Sequence, residues 1–366
     1  ELEVNEMGSN KILVSVIVPA YNAEKTLKRC LDSVFAQDFD RYQVILVNDG
    51  STDGTLNVVR EFEKKHHFVL IDQENSGAAS ARLRGFISSH GDFLTFVDAD
   101  DYIAPDMISK MYRGAIENKA DVVICGFESV NGKANLNRRY TSRSETGIQA
   151  TEKIMKGIIN GSLWNKLFAR DLFSEEDFQR TIGIKYGQDQ LLIAPTVAKA
   201  QKVAYLEEAL YFYVSNPNSV TNRPTVNSLV DLLKVRSFLF EFYRSPCFSA
   251  WNDSAPYYYA IGLIDILRIL RWIEKSQEGI DLRASIHSIL YGIPISEIWR
   301  AKRARVFFDI LLLKAGFSTF STLFGRVTYG GLSVNLGIGS PKKFEVFFPG
   351  YPKDFQKGGG RTWVQK

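Results

Sequence analysis

The strongest constraint on how this chain folds is a regular alternation of short apolar runs and amphipathic stretches over residues 11–125. Residues 14–18, 43–47, 68–71, 93–97 and 121–125 are β-branched or aromatic runs with the length of buried strands. Helical patterns lie between them. In 24–37, Leu27, Cys30, Leu31, Val34 and Phe35 fall on one face, with Asn22 as the expected cap. Pro105 opens another helix, whose apolar face is Ile108, Met111, Tyr112 and Ala115. This pattern predicts an α/β domain around a mostly parallel central sheet. In such sheets ligands gather where strands end and loops begin.

Four of the predicted strand ends carry polar or acidic clusters. They are Pro19-Ala20-Tyr21-Asn22, the stretch NDGSTDG at 48–54, Glu74-Asn75-Ser76-Gly77, and Asp98-Ala99-Asp100-Asp101. Three carboxylates in four residues repel one another unless a cation or donor groups offset their charge. A hard divalent ion such as Mn2+ or Mg2+ takes oxygen ligands, commonly one or two carboxylates plus substrate phosphates. It could also neutralise a departing diphosphate. The alternative is an acidic surface turn that caps the helix after Pro105. Asp49, flanked by Gly50 and Gly54, suits a carboxylate that accepts hydrogen bonds from a base or ribose, or else an ordinary Asp-Gly turn. The helix start at Gly77-Ala78-Ala79 offers free N–H groups to an anion, or simply packs tightly. Tyr21 could stack on a base, although a lone Tyr in such a place is more often structural.

Composition narrows the remaining classes. With 366 residues, 45% of them hydrophobic, the chain can bury a sizeable core and form two or three folding units. Cys30, Cys125 and Cys247 stand far apart, which argues against a disulfide framework or zinc site and favours a reducing, cytoplasmic compartment. The first ten residues are acidic and polar, without the pattern of a secretory leader. Strand signals fade after 225, where helices are expected over 226–244, 256–275, 281–291 and 297–315; residues 131–145 look like a solvated excursion. The expected divisions are 11–225, 226–299 and 300–366.

Residues 300–366 hold 12 Lys and Arg against 3 Asp and Glu, mixed with Phe, Ile and Leu. That chemistry suits contact with an anionic membrane surface, or a helix packed on the body with a charged outer face. Nucleic acid is disfavoured as a partner, because no basic stripe accompanies a recognisable nucleic-acid fold.

Taken together, VSVIVPAYNAEKTLKRCLDSVFAQ, VILVNDGSTDGT, ENSGAASARLRG and FLTFVDADD resemble, in order and spacing, the family 2 glycosyltransferases with the GT-A fold. The likeness is strong over about 12–125 and weaker through Trp164-Asn165-Lys166-Leu167, Gly187-Gln188-Asp189 and 211–221. It implies that Pro19, Tyr21 and Asp49 contact the nucleotide base. Asn75, Gly77 and Arg82 would sit near base, ribose and diphosphate. Within the family's DxD motif, Asp98 would face the ribose and metal, Asp100 would bind the metal, and Asp101 would lie by the donor sugar or acceptor. Leu83 stands where the family commonly has Asn, so no contact is assigned there.

The resemblance also implies an inverting base some 80 to 90 residues after the DxD motif, often in a Glu-Asp pair. The match is Gln188-Asp189, with Asp189 as the base and an amide in place of its acidic neighbour. A carboxylate there can take the acceptor hydroxyl's proton as the sugar bond breaks. Asp171, Glu176 and Asp177 are the other candidates. Trp164 would be a sugar platform or a core anchor, and Lys166 a phosphate or acceptor contact or a solvated lysine. Tyr213, Ser215 and Ser219 lie where relatives close over the diphosphate, but without the Arg or His found there.

The expected function is transfer of a sugar from a UDP-sugar to a glycan or lipid-linked acceptor in cell-surface polysaccharide synthesis, with Mn2+ or Mg2+ as cofactor. The expected location is the cytoplasm, at the inner face of the membrane. Two rivals are a sugar-1-phosphate nucleotidyltransferase, which would carry a Gly-rich basic loop after strand one, and a catalytically silent assembly subunit of the same fold.

Overall fold

The computed structural model describes residues 11–130, 144–215, 224–251, 255–270 and 276–293. Two compact units divide the chain between Arg223 and Pro224. The expected basic tail and the expected helix at 297–315 lie outside the described residues.

The first unit is built on strand β1 (Val14–Ala20), which pairs in parallel with β2 (Tyr42–Asp49) on one side and β4 (Phe93–Phe96) on the other. Strand β3 (Val69–Gln73) extends this half in parallel beyond β2. A strand covered on both faces reads as a continuous apolar run rather than an alternation, which is why VSVIV is legible as strand. Side chains nevertheless alternate between two cores. Val16 and Val18 pack with Leu27, Leu31 and Val34 of α1 (Leu27–Phe35), Val59 of α2 (Thr55–Glu63) and Met111 of α4 (Met107–Asn118). Ile17 faces the other way, towards Ala81 and Phe86 of α3 (Ala78–Ile87), Phe178 of α6 (Glu175–Gln179) and Ile193 of α7 (Gln188–Lys199). Helix α5 (Gly147–Met155) joins that face through Ala150. Helices therefore cover both sides of one sheet.

The far half of the sheet is mixed. Strand β8 (Lys166–Ala169) lies antiparallel between β4 and β6 (Val122–Val130). Strand β9 (Val203–Val214) runs parallel to β6 and then pairs antiparallel with β5 (Tyr102–Ile103) and β7 (Ser144–Glu145). Along the sheet the order is β3-β2-β1-β4-β8-β6-β9-β5. Two sequence expectations change here. Residues 144–145 form a short strand rather than part of a loop, and the rest of that excursion lies outside the described residues. Helix α1 starts at Leu27, later than expected, because Asn22 does not cap it. Asn22 has φ 48° and turns its Oδ1 to the Thr52 N–H at 2.8 Å.

The second unit shows helices α8 (Val226–Tyr243), α9 (Ala255–Leu270) and α10 (Gln277–Gly292). The Thr225 side chain caps α8 by accepting from the Ser228 N–H, and Ser276 does the same for α10 through Gly279. Phe240 stacks on Tyr259 with ring centres 4.5 Å apart. Among the described residues no helix is long and apolar enough to cross a membrane.

Candidate active site

The ends of β1, β2, β3 and β4 meet on one edge of the first unit, and backbone-to-side-chain bonds lace their loops together. Besides the Asn22–Thr52 bond, the Ala23 N–H donates to Thr55 Oγ1 at 2.8 Å and the Glu24 N–H to Asp53 Oδ2 at 3.1 Å. Tyr21 projects from this pair of loops and is 52% exposed, which leaves its ring free to stack; Pro19 is half-buried at the strand's end.

Asp49 closes β2 and is buried. Its Oδ1 accepts from Gln73 Nε2 at 2.7 Å and from the Ser76 N–H at 2.9 Å, while Oδ2 accepts from the Gly77 N–H at 2.8 Å. The carboxylate thus anchors the Asn75–Gly77 turn that opens α3. Gly77 takes φ 88°, ψ 158°, a conformation reserved almost entirely to glycine. Gly50, at φ 67°, sits so close beneath that turn that a Cβ would come within 2.5 Å of the Asn75 nitrogen.

Arg82 is the centre of the arrangement. It lies on α3 with only 7% of its surface exposed, yet its guanidinium spans two carboxylates. Nη1 donates to Asp189 Oδ1 at 2.9 Å and Nη2 to Asp98 Oδ1 at 3.1 Å. Asp189 stands in the first turn of α7, just after Gly187 in the left-handed conformation. Residues 82, 98 and 189 therefore converge from three elements. Burial pushes the Asp98 carboxyl up to about 6 against the pull of Arg82. Burial also raises Asp100, whose backbone carbonyl is held by Arg29 Nη2 at 2.6 Å.

The oxygen donors of Asp98 and Asp100 suit a hard divalent ion, which keeps waters and substrate phosphates in its remaining positions. Among the described residues no group of three His, Cys, Asp or Glu side chains forms a closed cage.

Three sequence-derived roles need correction. Asp101 is fully buried, and both its oxygens are taken: Oδ2 by the Tyr211 hydroxyl at 2.7 Å, Oδ1 by the Val214 N–H at 2.7 Å. Burial and the neighbouring Asp98 and Asp100 push it to about 8. It ties the acidic loop to β9 instead of meeting sugar or acceptor. Trp164 is a core anchor, stacked on Tyr211 and Tyr213 at 4.7 and 5.5 Å and edge-on to Phe127. Lys166 is wholly enclosed, with Nζ on the Ser162 carbonyl at 2.8 Å and on Asn165 Oδ1 at 2.9 Å, so it reaches no phosphate. Of the other base candidates, Asp177 is committed to capping α6 and pairing with Lys199 at 2.7 Å. Tyr213 is half-buried against Trp164, and Ser219 lies outside the described residues.

Tyr211, Arg29 and Gln73 take part without having been picked out from sequence. Tyr211 accepts from the Asp98 N–H at 3.2 Å while donating to Asp101, so one buried phenol orders the whole acidic loop. Its place in the weakly matching segment 211–221 was the available signal. Arg29 lies on the polar side of α1, where position alone gives no cue.

Residues 15–177 match the family described as Glycosyl transferase family 2. The chain is 33% identical over 238 residues to glycosyltransferase GlyA of Streptococcus pneumoniae serotype 4, covering 61% of this chain and 34% of the relative. It is 32% identical to the uncharacterized glycosyltransferase EpsJ of Bacillus subtilis, covering 58% of this chain and 64% of EpsJ. Its fold is similar to S. aureus TarS 1–349 in complex with UDP-GlcNAc, with TM-score 0.66 and 19% identity over 83% of this chain and 87% of that one. The likeness in fold defines a GT-A domain. Through this domain the chain is similar to bacterial family 2 glycosyltransferases, and it spans about a third of GlyA and just under two thirds of EpsJ.

Proposed function

We propose that this protein is an inverting glycosyltransferase that moves a sugar from a UDP-sugar to a hydroxyl of a glycan or lipid-linked acceptor in cell-surface glycan synthesis. The observation that carries the reading is the Arg82 fork, which sets the Asp189 carboxylate beside Asp98 at the strand ends where α/β domains bind ligands. Support for the donor comes from TarS, whose similar fold holds UDP-GlcNAc.

In this scheme the acceptor oxygen gives its proton to Asp189 as it bonds to the anomeric carbon, and the bond from that carbon to the diphosphate breaks on the opposite face. A positioned general base contributes roughly 10²- to 10⁴-fold in rate. Asp98 and Asp100 would hold Mn2+ or Mg2+, which when bound supplies positive charge against the leaving diphosphate. Tyr21 would stack on the base. Asp49, expected from sequence to contact the base, has its oxygens on the Gln73 side chain and the Ser76 and Gly77 N–H groups, and would act at one remove by holding the Asn75–Gly77 turn in place.

UDP release from a panel of nucleotide sugars, with and without Mn2+, tests the reading. Asp189→Asn is expected to keep UDP affinity by calorimetry and lose at least about 10²-fold in transfer. Asp100→Ala is expected to weaken Mn2+-dependent UDP binding. Pyrophosphate as the product would instead make the protein a nucleotidyltransferase, and transfer by Asp189→Asn at the wild-type rate would remove the base.

A further inference from the structure

We propose that Arg82 is the positioning residue of the base: anchored on Asp98, its guanidinium fixes where the Asp189 carboxylate stands, so that the proton acceptor is held in register with the donor side of the site. This rests on the reading of Asp189 as the base. Asp189 has its backbone held by the first turn of α7, but its side chain still needs a partner to orient it. It follows a left-handed glycine, and it comes after a stretch in which Ile182, Gly183 and Lys185 are exposed. Among the described residues its side chain has one hydrogen-bond partner, Arg82. Asp98, by contrast, leaves β4 in a loop ordered by Tyr211. The planar guanidinium can grip both carboxylates at a fixed separation, which a flexible point charge cannot do.

Gln188 completes the device. With its amide carbonyl turned to the guanidinium, Gln188 accepts from Arg82 Nη1 at 3.2 Å and donates to the Ile184 carbonyl at 3.0 Å. An acidic residue there would put a third carboxylate on one cation. The amide instead leaves two, and ties the preceding loop to the same anchor. Nη1 of Arg82 is thus spent on protein, Nη2 gives one of its two N–H groups to Asp98, and the Nε–H is buried without an acceptor among the described residues. That leaves a nucleotide little of this side chain to contact.

The test is a double-mutant cycle between Arg82→Lys and Asp189→Asn in the full chain, read as kcat for transfer and as Kd for UDP with Mn2+. The Arg82→Lys variant keeps the charge but lacks the planar fork that sets two carboxylates at a fixed separation. We expect kcat to fall at least about tenfold, since a displacement near 1 Å can cost up to about 10²-fold, with Kd moving less than about threefold. The double variant should be no slower than Asp189→Asn alone, because residues acting through one another are not additive. Multiplied losses, or a rise in Kd matching the fall in kcat, would overturn the proposal alone. Wild-type transfer by Asp189→Asn would overturn the base assignment and the proposal with it. Should Arg82→Lys not fold, Gln188→Leu serves: a severalfold loss of kcat at constant Kd supports the proposal, and an unchanged kcat overturns it.

Discussion

Lys166 is enclosed with its amine on two protein oxygens, and burial pulls its proton affinity down from 10.5 to about 7. Between those values the unfolded chain takes up a proton that the folded chain refuses. Stability from this group therefore rises as pH climbs through that window and is lost as pH falls back towards 7. Lys166→Met would leave the Ser162 and Asn165 oxygens without their donor, at about 1–3 kcal/mol each. The variant should thus be clearly less stable than wild type at pH 9.5 in urea melts, with the deficit shrinking at pH 6. A deficit independent of pH would rule this out. Chemistry-bearing residues were visible in the sequence at this scale, but their surroundings were not. Asp101, Trp164 and Lys166 stand in the right motifs for a sugar site and lie in the interior. The side of the backbone each faces is settled by how β8 and β9 pair with strands from elsewhere in the chain.

At the scale of elements, the Asp49 carboxylate, the left-handed Gly50 and the strained Gly77 form one joint between β2 and α3. The two glycines serve different ends. At Gly77 nothing lies within 4 Å of an added Cβ, so Gly77→Ala meets backbone strain alone, of order 1–3 kcal/mol. Gly50→Ala meets strain and the Asn75 backbone at 2.5 Å, which cannot yield without moving the turn. Thermal melts should place Gly50→Ala well below Gly77→Ala, and equal losses would refute the close approach. The strands and their polar ends were readable from sequence because each is a local pattern. The start of α1 was not, since Asn22 spends its side chain on Thr52, a partner 30 residues away.

At the scale of the whole molecule, the two hydrophobic clusters on the faces of the sheet lie between Leu13 and Tyr211, inside the first compact unit. A unit with its own cores on both faces of one sheet has the makings of an independently folding domain. Residues 11–223 expressed alone should therefore unfold in a single cooperative transition and bind UDP in Mn2+. A broad, non-cooperative melt would show that the second unit completes the fold.

The amino-acid sequence determined the α/β alternation, the four polar strand ends and the acidic loop, because period and turn chemistry act over a few residues. It placed Asp98 and Asp189 in separate motifs and could say nothing of the guanidinium between them. Only the tertiary structure decided that Arg82 joins them, that β8 runs antiparallel, and that Asp101 faces inward. A buried ion pair depends on which distant elements share a low-dielectric interior, and that is a property of packing rather than of spacing along the chain.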